Sequence, residues 1–148
     1  MSQKKVSFSK KDKSYMRIAL KLAKAREGLT GTNPSVGCVI VKNDHIISIG
    51  QTSFNGRPHA EANAIKHANE SLVGSKMYVT LEPCNHYGLT SPCTKKIINS
   101  KISEVIYSIE DVDKRVKNKS FKIFKSKEIT VKTGFLKKET KKFYMPYF

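Results

Sequence analysis

The chain has 148 residues, of which 39% are hydrophobic and 27% charged, the balance of a globular chain about one domain long. No run approaches the roughly 18 apolar residues of a membrane span, and the basic start MSQKKVSFSKKDK lacks the apolar stretch of a secretory signal. The net charge of +16 is built from Lys far more than Arg, which argues against base readout or bidentate phosphate recognition as its purpose.

Residues 12–27 read as the first helix. Met16, Ala19, Leu20 and Ala23 recur at i, i+3, i+4 and i+7, Ser9 or Asp12 caps the start, and Gly28 ends it. Residues 1–11 ahead of it are expected to be flexible. VGCVIV and HIISIG flank Lys42, Asn43 and Asp44 and form a β-hairpin. A second helix covers HAEANAIKHAN after Pro58, a residue favoured at helix starts. KMYVTL is the third strand, and the loop EPCNHYGLTS leads into a short helix over residues 92–99. EVIYSI is the fourth strand, SFKIFKS a helix, EITVKT the fifth strand and FLKKETKKFY a last helix. Strand, helix, strand from Glu104 to Thr133 requires a crossover, so the last two strands are parallel, whereas the first two are antiparallel. Helices alternating with strands cover both faces of the sheet. The expected fold is a three-layer α/β/α sandwich around a mixed five-stranded sheet, with residues 1–148 as one domain.

The positive charge is uneven. Residues 1–13 carry a net +4, residues 114–142 a net +10, and the hundred residues between them only +2. The motifs that carry chemistry lie in that nearly neutral middle. The basic ends therefore read as a solvated, Lys-rich surface in preference to a nucleic-acid footprint.

Two segments carry ligand chemistry. One is Pro58-His59-Ala60-Glu61; the other is Glu82-Pro83-Cys84, with Cys93 after eight intervening residues. One imidazole and two thiolates suit Zn²⁺. Three protein ligands leave a fourth tetrahedral position for water, which is the catalytic pattern. Cys93 falls at a helix start, where the dipole favours its thiolate. Glu61, two residues after His59 in the first turn, is the non-ligand carboxylate that shuttles protons. Taken singly, these residues have plainer uses, since a His at a helix start caps it or sits at the surface and a Cys fills a core. The combination favours the metal site, and its order (a His, a Glu two later, Pro-Cys, a second Cys) is that of zinc nucleobase deaminases. A closed structural zinc site needs a fourth protein ligand, for which His86 is the nearby candidate. Three cysteines, an odd number, do not make a complete disulfide framework and fit a reducing cytoplasm. Cys38 reads as a buried strand residue.

With these motifs in place, the chain resembles the deaminase domain of the bifunctional riboflavin-biosynthesis deaminase/reductase, within the cytidine-deaminase-like superfamily. The likeness runs from about Asp12 to Phe148 and rests on TNPSVGCVIV, GRPHAEANAI and YVTLEPCNHYGLTSPC. Its most specific feature is the gap of eight residues between Cys84 and Cys93. The resemblance implies zinc-dependent hydrolytic deamination of 2,5-diamino-6-(5-phosphoribosylamino)pyrimidin-4(3H)-one. The zinc ligands would be His59, Cys84 and Cys93, with Glu61 as acid and base. It further implies that Asn33 holds the pyrimidine and His86 contacts the substrate, although Asn33 before Pro34 is also a common turn pair. Two further substrate-binding positions depart from the family pattern, with Thr52 in place of a His and Leu89 in place of a Lys or Arg. Arg57, Lys95 and Lys114 are the cations available to replace the one missing at Leu89. No GxGxxG follows a strand, so no reductase domain is expected within these residues, and the reduction that the resemblance implies falls either to a separate chain or to a further part of a longer protein. A homo-oligomer is expected by the same likeness. Two other readings stand beside this one: a zinc deaminase acting on another nucleobase or on RNA, and a non-catalytic, zinc-stabilised basic module that binds nucleic acid.

Overall fold

The computed structural model describes residues 10–85, 92–113 and 117–148. Helix α1 spans Lys10–Ala25, followed by strands β1 (Gly37–Lys42) and β2 (His45–Gln51). Helix α2 (Ala60–His67), β3 (Lys76–Leu81), α3 (Cys93–Asn99), β4 (Glu104–Ile109), α4 (Lys119–Ser126), β5 (Thr130–Thr133) and α5 (Lys137–Tyr144) complete the order. The strands lie in the order β2-β1-β3-β4-β5. β1 is antiparallel to both β2 and β3, while β3, β4 and β5 run parallel. This is the expected mixed sheet. None of the described helices is long and apolar enough to cross a membrane.

The hairpin turn forms because Asn43 and Asp44 both take positive φ, 51° and 62°, the backbone twist that matches a two-residue hairpin. Strand alternation then sorts the core. Cys38, Ile40, Met77, Val79, Val105 and Tyr107 join Ala60, Ala64, Ile97 and Phe124 of α2, α3 and α4 in the larger apolar cluster. The intervening Val39, Val41, Tyr78 and Ile106 meet Met16 and Ala19 of α1, with Phe135, in a second cluster. On that second face α5 is tied down by polar contacts. Thr140 and Ser108 share a 2.6 Å hydrogen bond, and the Tyr144 hydroxyl donates to the Ser35 carbonyl at 2.6 Å while lying 2.7 Å from Thr80 Oγ1. The three layers are those the alternation of helices and strands implies.

Several boundaries differ. The first helix begins at Lys10, inside the segment expected to be flexible, and its regular part ends at Ala25. Asp12 sits within the first turn and accepts the Tyr78 hydroxyl, so it does not cap the helix; Ser9 lies outside the described residues. β5 starts at Thr130, two residues later than expected. The last helix starts at Lys137, because Leu136 takes a left-handed φ of 50° and Phe135 is buried in the second cluster.

Candidate metal centre and substrate cavity

Two helix starts and one strand end converge on a single point. His59 is the residue before α2, in extended backbone (φ −70°, ψ 163°), and its side chain makes no capping hydrogen bond. Its Nδ1 instead lies 3.7 Å from Cys84 Sγ and 3.5 Å from Cys93 Sγ. Cys84 follows the end of β3, and Cys93 is the first residue of α3. The Cys93 N–H donates to Cys84 Sγ at 3.3 Å, and the Thr94 N–H donates to the Cys84 carbonyl at 3.1 Å. The first turn of α3 thus grips Cys84 through sulfur and backbone together.

The position of α2 depends on close packing. A Cβ on Gly50 would stand 2.2 Å from the Ala60 carbonyl oxygen, so β2 and α2 approach more closely than any side chain would permit. Ala60 and Ala64 are fully buried at this contact, and Ser48 Oγ donates to the Ala64 carbonyl at 2.5 Å.

The ligand atoms of His59, Cys84 and Cys93 all lie within 4.8 Å of one another. With Zn–N near 2.0–2.1 Å and Zn–S near 2.3 Å, a tetrahedral ion would hold N and S about 3.6 Å apart. The two nitrogen–sulfur separations, 3.7 and 3.5 Å, fit that edge, and the donor set is one that zinc prefers. Among the described residues this is the one group of three or more potential ligands so arranged.

The electrostatics separate the two thiols, and Cys93 does not hold the thiolate expected of it at a helix start. Hydrogen bonds from Cys93 and His59 hold the Cys84 thiol down at about 4, so its sulfur is anionic. The same contact with Cys84, together with burial, keeps the proton on Cys93, which an incoming cation would displace. His59 is raised first by its bond to Cys84. Glu61 is 4% exposed, and burial pushes its carboxyl up to about 7 despite the opposing charge of His59. The Cys93 side chain hydrogen-bonds to it, which places the carboxyl beside the ligand cluster although His59 and Glu61 are only two residues apart. Cys38 is buried in β1, as expected, and burial raises its thiol well above the usual range.

A cavity of about 360 Å³ opens on this centre, lined in part by Asn33, Thr52, Arg57, His59, Glu61 and Cys84. Asn33 lies in the turn expected of it and also lines the cavity. Thr30 Oγ1 donates to its carbonyl at 2.7 Å in a turn, while its own Nδ2 donates to the Gly56 carbonyl at 3.0 Å and its side chain lines the cavity. Thr52 is buried in the wall. Its Oγ1 accepts the Val36 N–H at 2.8 Å and lies 3.4 Å from the Pro34 carbonyl, so the hydroxyl braces the backbone ahead of β1. His86, as substrate contact or fourth zinc ligand, and Leu89 and Lys114 lie outside the described residues. Of the other replacement cations, Lys95 is exposed on α3 and does not line the cavity.

The sequence motifs named Glu82 but gave it no task. It is 3% exposed, and its carboxylate accepts the backbone N–H groups of Asp111 and Asn118, both at 3.2 Å, and of Ser120 at 3.3 Å. Ser120 Oγ in turn donates to the Pro83 carbonyl. This carboxylate therefore holds the backbone of Asp111, Asn118 and Ser120 beside the cavity, whose lining includes Asp111, Val112, Asp113, Tyr147 and Phe148. The only sequence signal for this was an acid directly after an apolar strand, where a buried charge needs several donors.

The model of the cytidine and deoxycytidylate deaminase zinc-binding region matches residues 9–109. The chain is 45% identical over 138 residues to a diaminohydroxyphosphoribosylamino-pyrimidine deaminase of Buchnera aphidicola, covering 93% of this chain and 94% of that one. Two solved structures are similar over most of the chain. One, from Acinetobacter baumannii, is of RibD (TM-score 0.89, 38% identity, 93% of this chain). The other, from Thermotoga maritima, is of a diaminohydroxyphosphoribosylaminopyrimidine deaminase/5-amino-6-(5-phosphoribosylamino)uracil reductase (TM-score 0.81, 40% identity, 88% of this chain). The chain spans 39% and 38% of those two proteins.

Proposed function

The chain belongs to the zinc-binding family of cytidine and deoxycytidylate deaminases, and we propose that it hydrolytically deaminates 2,5-diamino-6-(5-phosphoribosylamino)pyrimidin-4(3H)-one, yielding 5-amino-6-(5-phosphoribosylamino)uracil and ammonia. The observation that carries this reading is the meeting of His59 Nδ1 with two cysteine sulfurs beside a buried Glu61, at the floor of a cavity large enough for a pyrimidine. The near-full-length relative named for this substrate supports the choice of base.

His59, Cys84 and Cys93 would hold zinc, which supplies a Lewis acid beside which water ionises far more readily than in bulk. Glu61 takes a proton from the attacking water and delivers one to the ring nitrogen next to the carbon that bears the amine. It then takes the remaining proton from the hydroxyl now on that carbon and passes it to the amine, so that the carbonyl forms as the C–N bond breaks and ammonia leaves. A carboxyl lifted by burial suits a group that must alternate between ionised and protonated forms. Asn33, whose amide nitrogen is anchored on Gly56, presents its carboxamide to the pyrimidine edge. Thr52 contributes wall, and Glu82 holds the backbone of Asp111 beside the cavity.

The test is ammonia release from the phosphoribosylated diaminopyrimidine, measured beside cytidine, guanine, adenosine and a short RNA, with zinc quantified on the same sample. Release from the first substrate, at one zinc per chain, is the expected result. Release from cytidine or RNA alone overturns the substrate. No release from any, with nucleic-acid binding that falls steeply with salt, favours the binding module.

A further inference from the structure

The cavity presents an electrostatic problem for a phosphorylated substrate. Among the described residues that line it, Glu61, Glu82, Asp111 and Asp113 are acidic, and Glu82 already spends its charge on backbone donors. Arg57 is the one Lys or Arg among them. A phosphate carries up to two negative charges, and in a site walled by carboxylates it needs a cation to enter. A guanidinium is the side chain best matched to phosphate, since its planar fork donates two parallel hydrogen bonds.

The backbone around Arg57 is braced on both sides. Asn33 Nδ2 donates to the Gly56 carbonyl at 3.0 Å, and a Cβ on Gly56 would stand 2.7 Å from that same Nδ2, so the loop lies close against Asn33. On the other side, the Pro58 carbonyl accepts the Ser53 N–H at 3.1 Å and lies 3.3 Å from Asn63 Nδ2. Two residues further on is His59, and the positive charge of Arg57 reaches that imidazole. Arg57 thus begins from a fixed point between the base-contacting Asn33 and the metal centre, half-buried at the cavity wall.

We infer that Arg57 binds the phosphate of the substrate and so selects the phosphorylated pyrimidine over its phosphate-free form. This rests on the substrate reading above. A rival location exists in the adjoining cavity of about 330 Å³, which shares Asp111, Val112 and Phe148 with the first and is lined by Lys117, Lys137 and Lys141.

The experiment compares kcat/KM for the phosphorylated and phosphate-free pyrimidines in the wild-type protein, Arg57→Ala, Arg57→Lys and Lys137→Ala/Lys141→Ala. It also titrates ribose 5-phosphate calorimetrically into each. A charge-assisted pair is worth about 10- to 100-fold in affinity. In Arg57→Ala the preference for the phosphorylated substrate is expected to fall by that factor, chiefly through KM, with zinc content and thermal midpoint retained. Arg57→Lys restores part of it, and ribose 5-phosphate binding weakens in parallel. A preference that survives Arg57→Ala, or collapses only in the double lysine variant, overturns the inference. If the wild-type protein deaminates neither pyrimidine, the substrate reading has failed, and the ribose 5-phosphate titration decides alone. Binding lost in Arg57→Ala then supports the phosphate site, and equal or absent binding overturns it.

Discussion

His59 Nδ1 and Cys93 Sγ meet at 3.5 Å across 34 residues of chain, each at the N-terminal end of a different helix on the same side of the sheet. No side-chain capping bond is made at either N-cap, His59 of α2 or Pro92 of α3. Substituting Cys93 by Ala is expected to abolish stoichiometric zinc binding and to leave the thermal midpoint insensitive to chelator. In the wild-type protein a chelator should lower that midpoint, because a metal at 1,000 times its dissociation constant stabilises the fold by about 4 kcal/mol. Cys38→Ala is the contrast. This buried thiol is no part of the cluster, so its loss should cost about 1 kcal/mol and leave zinc content unchanged, as metal analysis and calorimetry would show.

Glu61→Gln keeps the size of the side chain but removes its ability to carry a proton. Ammonia release should fall by a factor of about 100 or more, in line with general acid–base contributions. Zinc content should stay near that of the wild type, since Glu61 is not among the three ligands. Loss of zinc together with activity would instead make Glu61 a structural member of the site.

Glu82→Ala strands the backbone N–H groups of Asp111, Asn118 and Ser120 in a buried setting. The expected cost is about 2–4 kcal/mol in denaturant unfolding, the penalty for unmet buried donors. Because the same segment walls the cavity, KM for the pyrimidine should rise more than kcat falls.

Gly50→Ala tests the seat of α2. Its Cβ would lie 2.2 Å from the Ala60 carbonyl oxygen and 2.6 Å from the Ala64 N, with backbone on both sides and no flexible side chain to yield. A loss of about 3 kcal/mol is expected. Zinc affinity should fall with it, since the displaced helix carries His59 at its start. Unchanged stability and metal binding would mean that α2 is not positioned by this contact.

The sequence alone determined the local chemistry and the order of elements. Apolar periodicity identified α1, alternation identified the strands, and a strand–helix–strand run required β4 and β5 to be parallel. The pairing of His59-Ala60-Glu61 with Cys84 and Cys93 named a metal site, because few other uses bring those side chains together. Only the tertiary structure decided where boundaries fell, since a buried Phe135 and a left-handed Leu136 override the helical pattern that began there. It alone decided that Thr52 braces backbone, that Glu82 fastens the wall after β4, and that Arg57 stands in the cavity while Lys95 does not. Ligand type and spacing are written within short segments of chain. The partners of a buried carboxylate, and the cation that shares a cavity, are set by packing between segments dozens of residues apart.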